Sequence, residues 1–371
     1  MIVGVGLIGG SVAMALKDIG ADIRTIGVAS RASTVEEALG TGYFDEAYRM
    51  DDPRIDRILA EGSVDLVLLA MPPQHACSYF ERIEASGYAG IVTDTVSTKT
   101  EICRIAEEKL SDPTRYIPGH PMAGREVNGL AGATQGLFAG RYWILCPDSR
   151  TDHDAFLTLH SLVVAMGARC ISLPREEHDN MVALISHVPH MVASSLVELA
   201  RRHAGEGEEL YRITGGGFKD STRVAAGSPE LWTEIAMSNR GPISQGLKEF
   251  GEIVGHVEEM VAGGDDQGLE SFLEGTSSTR QRIPAAWSAT SEKLWMLQVS
   301  MENHPGIVAA VTSIAGKLGC NIQSIDIEHI SDANAILELV FTDEGDMDGL
   351  LEALSREGFE VVSDGFVEVQ S

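Results

Sequence analysis

Met1-Ile-Val3, Gly4-Val-Gly6-Leu7-Ile8-Gly9-Gly10-Ser11 and Val12-Ala-Met-Ala-Leu16-Lys17 open the chain. An apolar strand stub, a G-x-G-x-x-G turn and a run with helical apolar spacing, in that order, make a dinucleotide-binding fingerprint. Each glycine has a physical task. Gly4 allows the tight turn, Gly6 lets backbone approach a pyrophosphate, and Gly9 lets helix pack on strand. Leu7 and Ile8 start the helix, whose N-terminal N–H groups face the phosphates. A glycine-rich turn alone would be weak; the flanking strand and helix give the reading its weight. Three residues make a short central strand, so a few more are expected ahead of Met1.

The next strand reads over Ile23 to Val28. An NAD site usually carries Asp or Glu at its end, to bind the ribose 2′-hydroxyl. Here Ala29-Ser30-Arg31 stands instead. The missing acid and the nearby arginine suit a 2′-phosphate and lean towards NADP+; the alternative is that Arg31 only starts the next helix. Val64 to Met71 reads as a buried parallel strand closed by Pro72-Pro73. Ile91 to Asp94 is another, followed by Thr95-Val-Ser97-Thr-Lys99. Ligands of a doubly wound sheet bind at the carboxyl ends of its strands. Met71 and Asp94 are therefore expected at the cofactor, and Ser97 and Lys99 near the nicotinamide. Ser97 also suits a helix N-cap, with Glu101 reaching back.

Gly119-His120-Pro-Met-Ala-Gly-Arg125-Glu126 follows, with a histidine, an arginine and a carboxylate between turn formers. That composition fits a loop presenting polar side chains, with His120 as a candidate base. Tyr142 to Cys146 reads as the last strand of a domain covering 1–150.

From 151 to about 280 the apolar spacing turns helical. Within it lies Ile185-Ser-His187-Val-Pro-His190, two histidines around a helix-perturbing proline. No third ligand stands at zinc spacing, so no metal is expected. Gly215-Gly-Gly-Phe-Lys219-Asp220-Ser-Thr-Arg223 marks a helix break, and Pro229-Glu-Leu-Trp232 starts another helix. A polar stretch beginning near Glu274 fits a linker, assigned to 281–293. Residues 294–371 then follow the order βαββαβ, a ferredoxin-like unit.

The whole chain, 371 residues, suffices for two or three domains. Its 28 Lys plus Arg against 55 Asp plus Glu give −27, which excludes the basic footprint of a nucleic-acid binder. An anionic substrate would be repelled at long range and would need local arginines. Five dispersed cysteines without a Cys-x-x-Cys fit a reducing cytoplasm. No leader pattern and no apolar run near the roughly 18 residues of a span are visible, so no membrane is expected.

Asp94-Thr-Val-Ser97-Thr-Lys99, His120-Pro-Met-Ala-Gly-Arg-Glu126, Ser186-His187-Val-Pro-His190 and Gly215-Gly-Gly-Phe-Lys219-Asp220-Ser-Thr-Arg223, with Trp232 after them, resemble the prephenate dehydrogenase family with a C-terminal ACT domain. The resemblance runs nearly end to end. It implies a Rossmann domain, a helical domain that makes the dimer, and an ACT domain that takes an amino acid, tyrosine being the expected effector. It implies oxidative decarboxylation of prephenate with hydride transfer to NAD(P)+, NAD+ being the family default. His120 matches the base that takes the ring-hydroxyl proton, and Ser97 the serine bonded to that hydroxyl. Arg223 matches the carboxylate partner; His190 and Lys219 match pocket positions, and Glu126 and Trp232 lie in the shared motifs. Arg125 stands where the family more often has Ser or Thr, which leaves prephenate against arogenate open. Asn303 replaces the Asp usual before the first ACT helix, so a purely structural ACT module is the alternative to an amino-acid site. Two other readings are a β-hydroxyacid-type dehydrogenase using Lys219, and an amino-acid sensor with a degenerate enzyme domain.

Overall fold

The computed structural model describes residues 1–20, 22–124, 127, 129–204, 209–282, 294–302, 305–330, 334–342 and 345–367. Two units form: Met1–Arg175 with Trp287–Ser371, and Glu176–Ala286.

In the first unit, strands β1 (Ile2–Val3), β2 (Ile26–Ala29), β3 (Glu46–Arg49), β4 (Leu66–Leu69), β5 (Ile91–Asp94) and β6 (Tyr116–Ile117) alternate with helices α1 (Leu7–Asp18), α2 (Ala32–Thr41), α3 (Arg54–Ala60), α4 (Pro73–Ser86) and α5 (Thr100–Lys109). All pairings are parallel, in the order β3-β2-β1-β4-β5-β6. This is the doubly wound arrangement, with its switch point between β1 and β4. Helices on both faces explain why β4 reads as an unbroken apolar run: Val67 and Leu69 have no exposed surface.

The expected boundary at 150 is too early. A second sheet joins β7 (Gly119–Pro121), β8 (Tyr142–Leu145) and β9 (Arg169–Ser172), with α6 (His153–Ala165) between β8 and β9. Because β9 pairs in parallel with β8, Trp143 opposite Cys170, the first unit continues to Arg175. Four strand residues amid helical spacing were not legible as a strand.

The second unit is helical: α7 (Arg175–Val182), a π turn (Ala183–His187), α8 (Val188–His203), α9 (Glu209–Arg212), α10 (Gly216–Thr222), α11 (Pro229–Ser238), α12 (Arg240–Gly263) and α13 (Asp266–Arg282). The polar stretch expected to leave the domain at Glu274 is helical through Arg282; residues 283–293 lie outside the described part. Residues 175–203 run as one helix of 29 residues with a mean hydropathy of 1.4 in its most apolar window. By length and composition it could cross a bilayer, contrary to the expectation of no such segment. Leu184, Ile185 and Leu199 on it are exposed.

The 294–371 segment forms β10 (Leu294–Glu302), α14 (Ile307–Lys317), β11 (Ile322–His329), β12 (Asn334–Thr342), α15 (Met347–Arg356) and β13 (Glu360–Val367). The antiparallel order β11-β12-β10-β13 is that of the expected βαββαβ unit. Ala335, Leu337, Leu339 and Phe341 pack with α14 and α15, while Ile336, on the other face of β12, joins the core cluster of the nucleotide-binding part. Ser161 of α6 donates to the Val362 carbonyl at 3.4 Å, so this sheet is seated on α6.

Candidate functional site

The glycine turn has the geometry that its spacing predicts. Gly4 sits at φ +104°, and a Cβ there would lie 2.1 Å from the Ala70 carbonyl. A Cβ on Gly9 would lie 2.1 Å from the Gly4 carbonyl, whereas one on Gly6 would meet nothing within 4 Å. Two glycines thus close the turn, and the third leaves its face open. Helix α1 begins at Leu7 and Ile8 with no side chain capping it. Its free N–H groups and the positive end of its dipole suit a pyrophosphate. At the end of β2, Ser30 and Arg31 are exposed. Arg31 makes no ion pair among the described residues, while Arg49 and Arg54 hold Asp51 and Asp52. Met71 is buried directly after β4.

Asp94 departs from its expected role at the cofactor. It has no exposed surface, and its carboxylate accepts from Lys99 Nζ at 2.6 Å, Tyr116 OH at 2.7 Å and the Val96 N–H at 2.8 Å. Burial, and then the neighbouring carboxylate, push the Tyr116 phenol well above its usual range. Lys99, expected near the nicotinamide, is equally buried, and its ammonium also donates to the Gly119 carbonyl at 2.5 Å. The buried pair therefore ties the 94–99 loop to β7.

That tie positions the two catalytic candidates. Ser97 is half-buried in the loop, and its hydroxyl makes no hydrogen bond among the described residues. It is not the expected N-cap: α5 begins at Thr100, after Lys99, without a side-chain cap. His120 is half-buried on β7, one residue beyond the tethered carbonyl and in register with Ile144. Gly119 allows the approach, since a Cβ would lie 2.8 Å from the Asp94 carbonyl and 2.9 Å from Trp143 Nε1. Arg125 and Glu126 lie outside the described residues.

In the helical unit, His190 stacks on Trp232 with ring centroids 3.5 Å apart at 14°. His187 meets the same indole edge-to-face at 6.0 Å and 82°. Burial lowers the His187 pKa to about 4 and lowers that of His190 too, so both are neutral at pH 7. The glycine break holds: Gly216 starts α10, which packs with the following 3-10 turn against α8. Lys219 and Arg223 on these turns are exposed. Asp179 and Asn239, buried beside His187, were not singled out in the sequence; polar residues interrupting apolar spacing were the available signal. Among the described residues no three His, Cys, Asp or Glu side chains gather to hold a metal.

Residues 12–172 match the family profile described as prephenate dehydrogenase, nucleotide-binding domain; 174–275 match prephenate dehydrogenase, dimerization domain; and 295–359 match the ACT domain. A cyclohexadienyl dehydrogenase of Zymomonas mobilis is 30% identical over 278 residues, covering 74% of this chain and 92% of that protein. The chain belongs to the prephenate dehydrogenase family. The family's prephenate dehydrogenase of Bacillus subtilis is 29% identical over 350 residues, 93% of this chain and 92% of that one. A crystal structure of prephenate dehydrogenase from A. aeolicus with hydroxyphenyl propionate and NAD+ superposes with a TM-score of 0.70 at 27% identity, covering 76% of this chain and 97% of that one. Membership makes the chain an NAD(P)-dependent oxidoreductase, in keeping with the glycine cradle of α1.

Proposed function

We propose that the chain converts prephenate to 4-hydroxyphenylpyruvate by oxidative decarboxylation. The observation carrying this reading is the Lys99 ammonium, which holds the loop of Ser97 and the strand of His120 together at the carboxyl end of the cofactor sheet. His120 takes the proton of the ring hydroxyl, a task suited to imidazole near neutral pH. The unengaged Ser97 hydroxyl orients that hydroxyl against the imidazole. When bound, the nicotinamide would supply the acceptor for the hydride that leaves the ring carbon bearing the hydroxyl. The ring carboxylate leaves as carbon dioxide, its bonding electrons complete the aromatic ring, and the proton returns to the ring oxygen. Arg223 pairs with a substrate carboxylate, a fork donor suited to a dianion. His190, Lys219 and Trp232 complete the recognition set with Arg125 and Glu126.

Finer assignments follow. Arg31, without an ion pair among the described residues, and the missing acid favour NADP+ over NAD+. The ACT domain takes an amino-acid effector, tyrosine, and the helical unit forms the dimer of a cytoplasmic enzyme, its exposed Leu184, Ile185 and Leu199 being suited to a second copy. A second reading, in which arogenate is also oxidised, is favoured by the 30% identity to a cyclohexadienyl dehydrogenase. Absorbance at 340 nm, with prephenate or arogenate, either cofactor and added tyrosine, tests all of this. His120→Ala should lose about 10²-fold or more in kcat with little change in cofactor affinity. Near-normal turnover in that variant would overturn the assignment of the base.

A further inference from the structure

A buried polar network in the helical unit has no part in the chemistry above. His178 Nδ1 lies 2.9 Å from Asp179 Oδ1. Asn239 Nδ2 lies 2.8 Å from the Asp179 carbonyl oxygen and 3.2 Å from His187 Nδ1. His178, Asp179, His187 and Asn239 are all at most 2% exposed. Three places in the chain contribute: α7, the π turn and the joint between α11 and α12. The π turn offsets the register of His187 from that of α7, a feature common at functional sites.

The protonation pattern follows by elimination. A backbone carbonyl only accepts, so the Asn239 atom facing it is the amide nitrogen. The same nitrogen faces His187 Nδ1, so that ring atom carries the lone pair and the proton sits on Nε2. The charged and titratable groups bearing on His187 are Asp179, which favours its cation, and His178 and His190, which act with burial against it; burial is the largest of these and keeps the ring neutral. His190 Nδ1 is buried without a hydrogen-bond partner among the described residues. A buried orphan N–H is the rarer and costlier defect, so its proton also belongs on Nε2. Between the two rings stands Trp232, and Gly227 gives it room: a Cβ there would lie 2.6 Å from the indole Nε1 and 3.3 Å from His190 Cε1.

We infer that Asn239 and Asp179 are positioning residues, which lock His187 as its Nε2–H tautomer so that His187 and Trp232 hold the His190 ring in one orientation. The link to substrate rests on the proposed role of His190; the tautomer does not. Asn239→Asp keeps the shape but replaces the amide donor with an acceptor. Nitrogen-15 NMR of the histidine rings should show His187 protonated at Nε2 in the wild-type chain from pH 6 to 8, and at Nδ1 in the variant. The KM for prephenate should rise about 10-fold, with kcat and the cofactor KM changing less than about 3-fold, because the network touches binding and not the base. Asn239→Leu, which introduces no charge, should raise the same KM and leave His187 exchanging between tautomers. A wild-type His187 protonated at Nδ1 would overturn the inference whatever the variants do. So would variants with an unchanged prephenate KM in a chain that turns prephenate over. If the wild-type chain oxidises neither prephenate nor arogenate, the functional reading fails, and the NMR result alone decides the tautomer lock.

Discussion

Removing the Lys99 ammonium should damage both stability and chemistry. Lys99 and Asp94 have no exposed surface, and their charges meet at 2.6 Å. Lys99→Met keeps most of the apolar stem but leaves the Asp94 carboxylate buried with only the Tyr116 hydroxyl and the Val96 N–H. Breaking a buried pair from one side costs about 3–5 kcal/mol, mainly through the uncompensated charge left behind. At roughly 2–4 °C per kcal/mol for a unit of this size, the melting transition of the nucleotide-binding part should fall by about 6–20 °C. Calorimetry on the full chain reads that transition separately from that of the helical unit. The Gly119 carbonyl also loses its donor, so the strand carrying His120 is no longer tied to the loop of Ser97. A displacement near 1 Å costs about 10²-fold in rate, and kcat should fall by that order. The double variant Asp94→Asn with Lys99→Met removes the stranded charge and should recover most of the stability. It should not recover kcat, because the tether to Gly119 is still missing. A Lys99→Met protein that melts within about 2 °C of wild type and turns over normally would refute the reasoning.

Arg31→Ala should raise the KM for NADP+ about 10- to 100-fold and leave that for NAD+ nearly unchanged, as loss of a charge-assisted hydrogen bond requires; equal effects on both would show that Arg31 does not read a 2′-phosphate. His187 titrates near 4 when folded, against 6.5 for an imidazole in water, because burial disfavours its cation. The unfolded chain therefore binds the extra proton first, and stability that is fully present above pH 6.5 is lost as pH falls towards 4. Allowing for partial screening, the loss should be about 2 kcal/mol in denaturant titrations, and His187→Gln should flatten that part of the profile; parallel profiles would count against it.

Local patterns carried much of this structure. The glycine spacing placed Gly4 at a positive φ and Gly9 on the face of α1 that packs against the turn and β1, because a hard-sphere constraint depends on few neighbours. The βαββαβ unit was legible for a similar reason: its strands alternate and its helices are amphipathic. Long-range pairing was not legible. Strand β9 has only four residues, and its identity comes from β8, which lies 24 residues upstream at the nearest pair of ends. Asp94 shows the same limit for function. A carboxylate at a strand end suggests a cofactor ligand, but two donors of its own loop, the Val96 N–H and Lys99, and the more distant Tyr116 hydroxyl claim it. Its chemistry and two of its partners were in the quoted sequence; that the loop turns Lys99 back onto it, and that Tyr116 reaches it from β6, was not legible.

The charge balance, which excludes a nucleic-acid footprint and calls for local arginines at an anionic site, bears on Arg31 at the end of β2. With 55 acidic residues against 28 Lys plus Arg, many surface cations hold a carboxylate, although Arg57, Arg141 and Lys248, all exposed, make no ion pair among the described residues. Around the cofactor sheet, Lys17 holds Asp45, Arg24 holds Glu46, Arg49 holds Asp51 and Arg54 holds Asp52. Arg31 stands among them without an ion pair to any described residue, at the strand end where an acid would bind a ribose hydroxyl. Helix α2 does not account for it, because Arg31 is the N-cap residue and its side chain makes no capping bond. A cation at a helix N-terminus is also slightly unfavourable against the dipole. The position of Arg31 at that strand end, rather than its lack of a carboxylate, is what the comparison of NADP+ with NAD+ in Arg31→Ala tests.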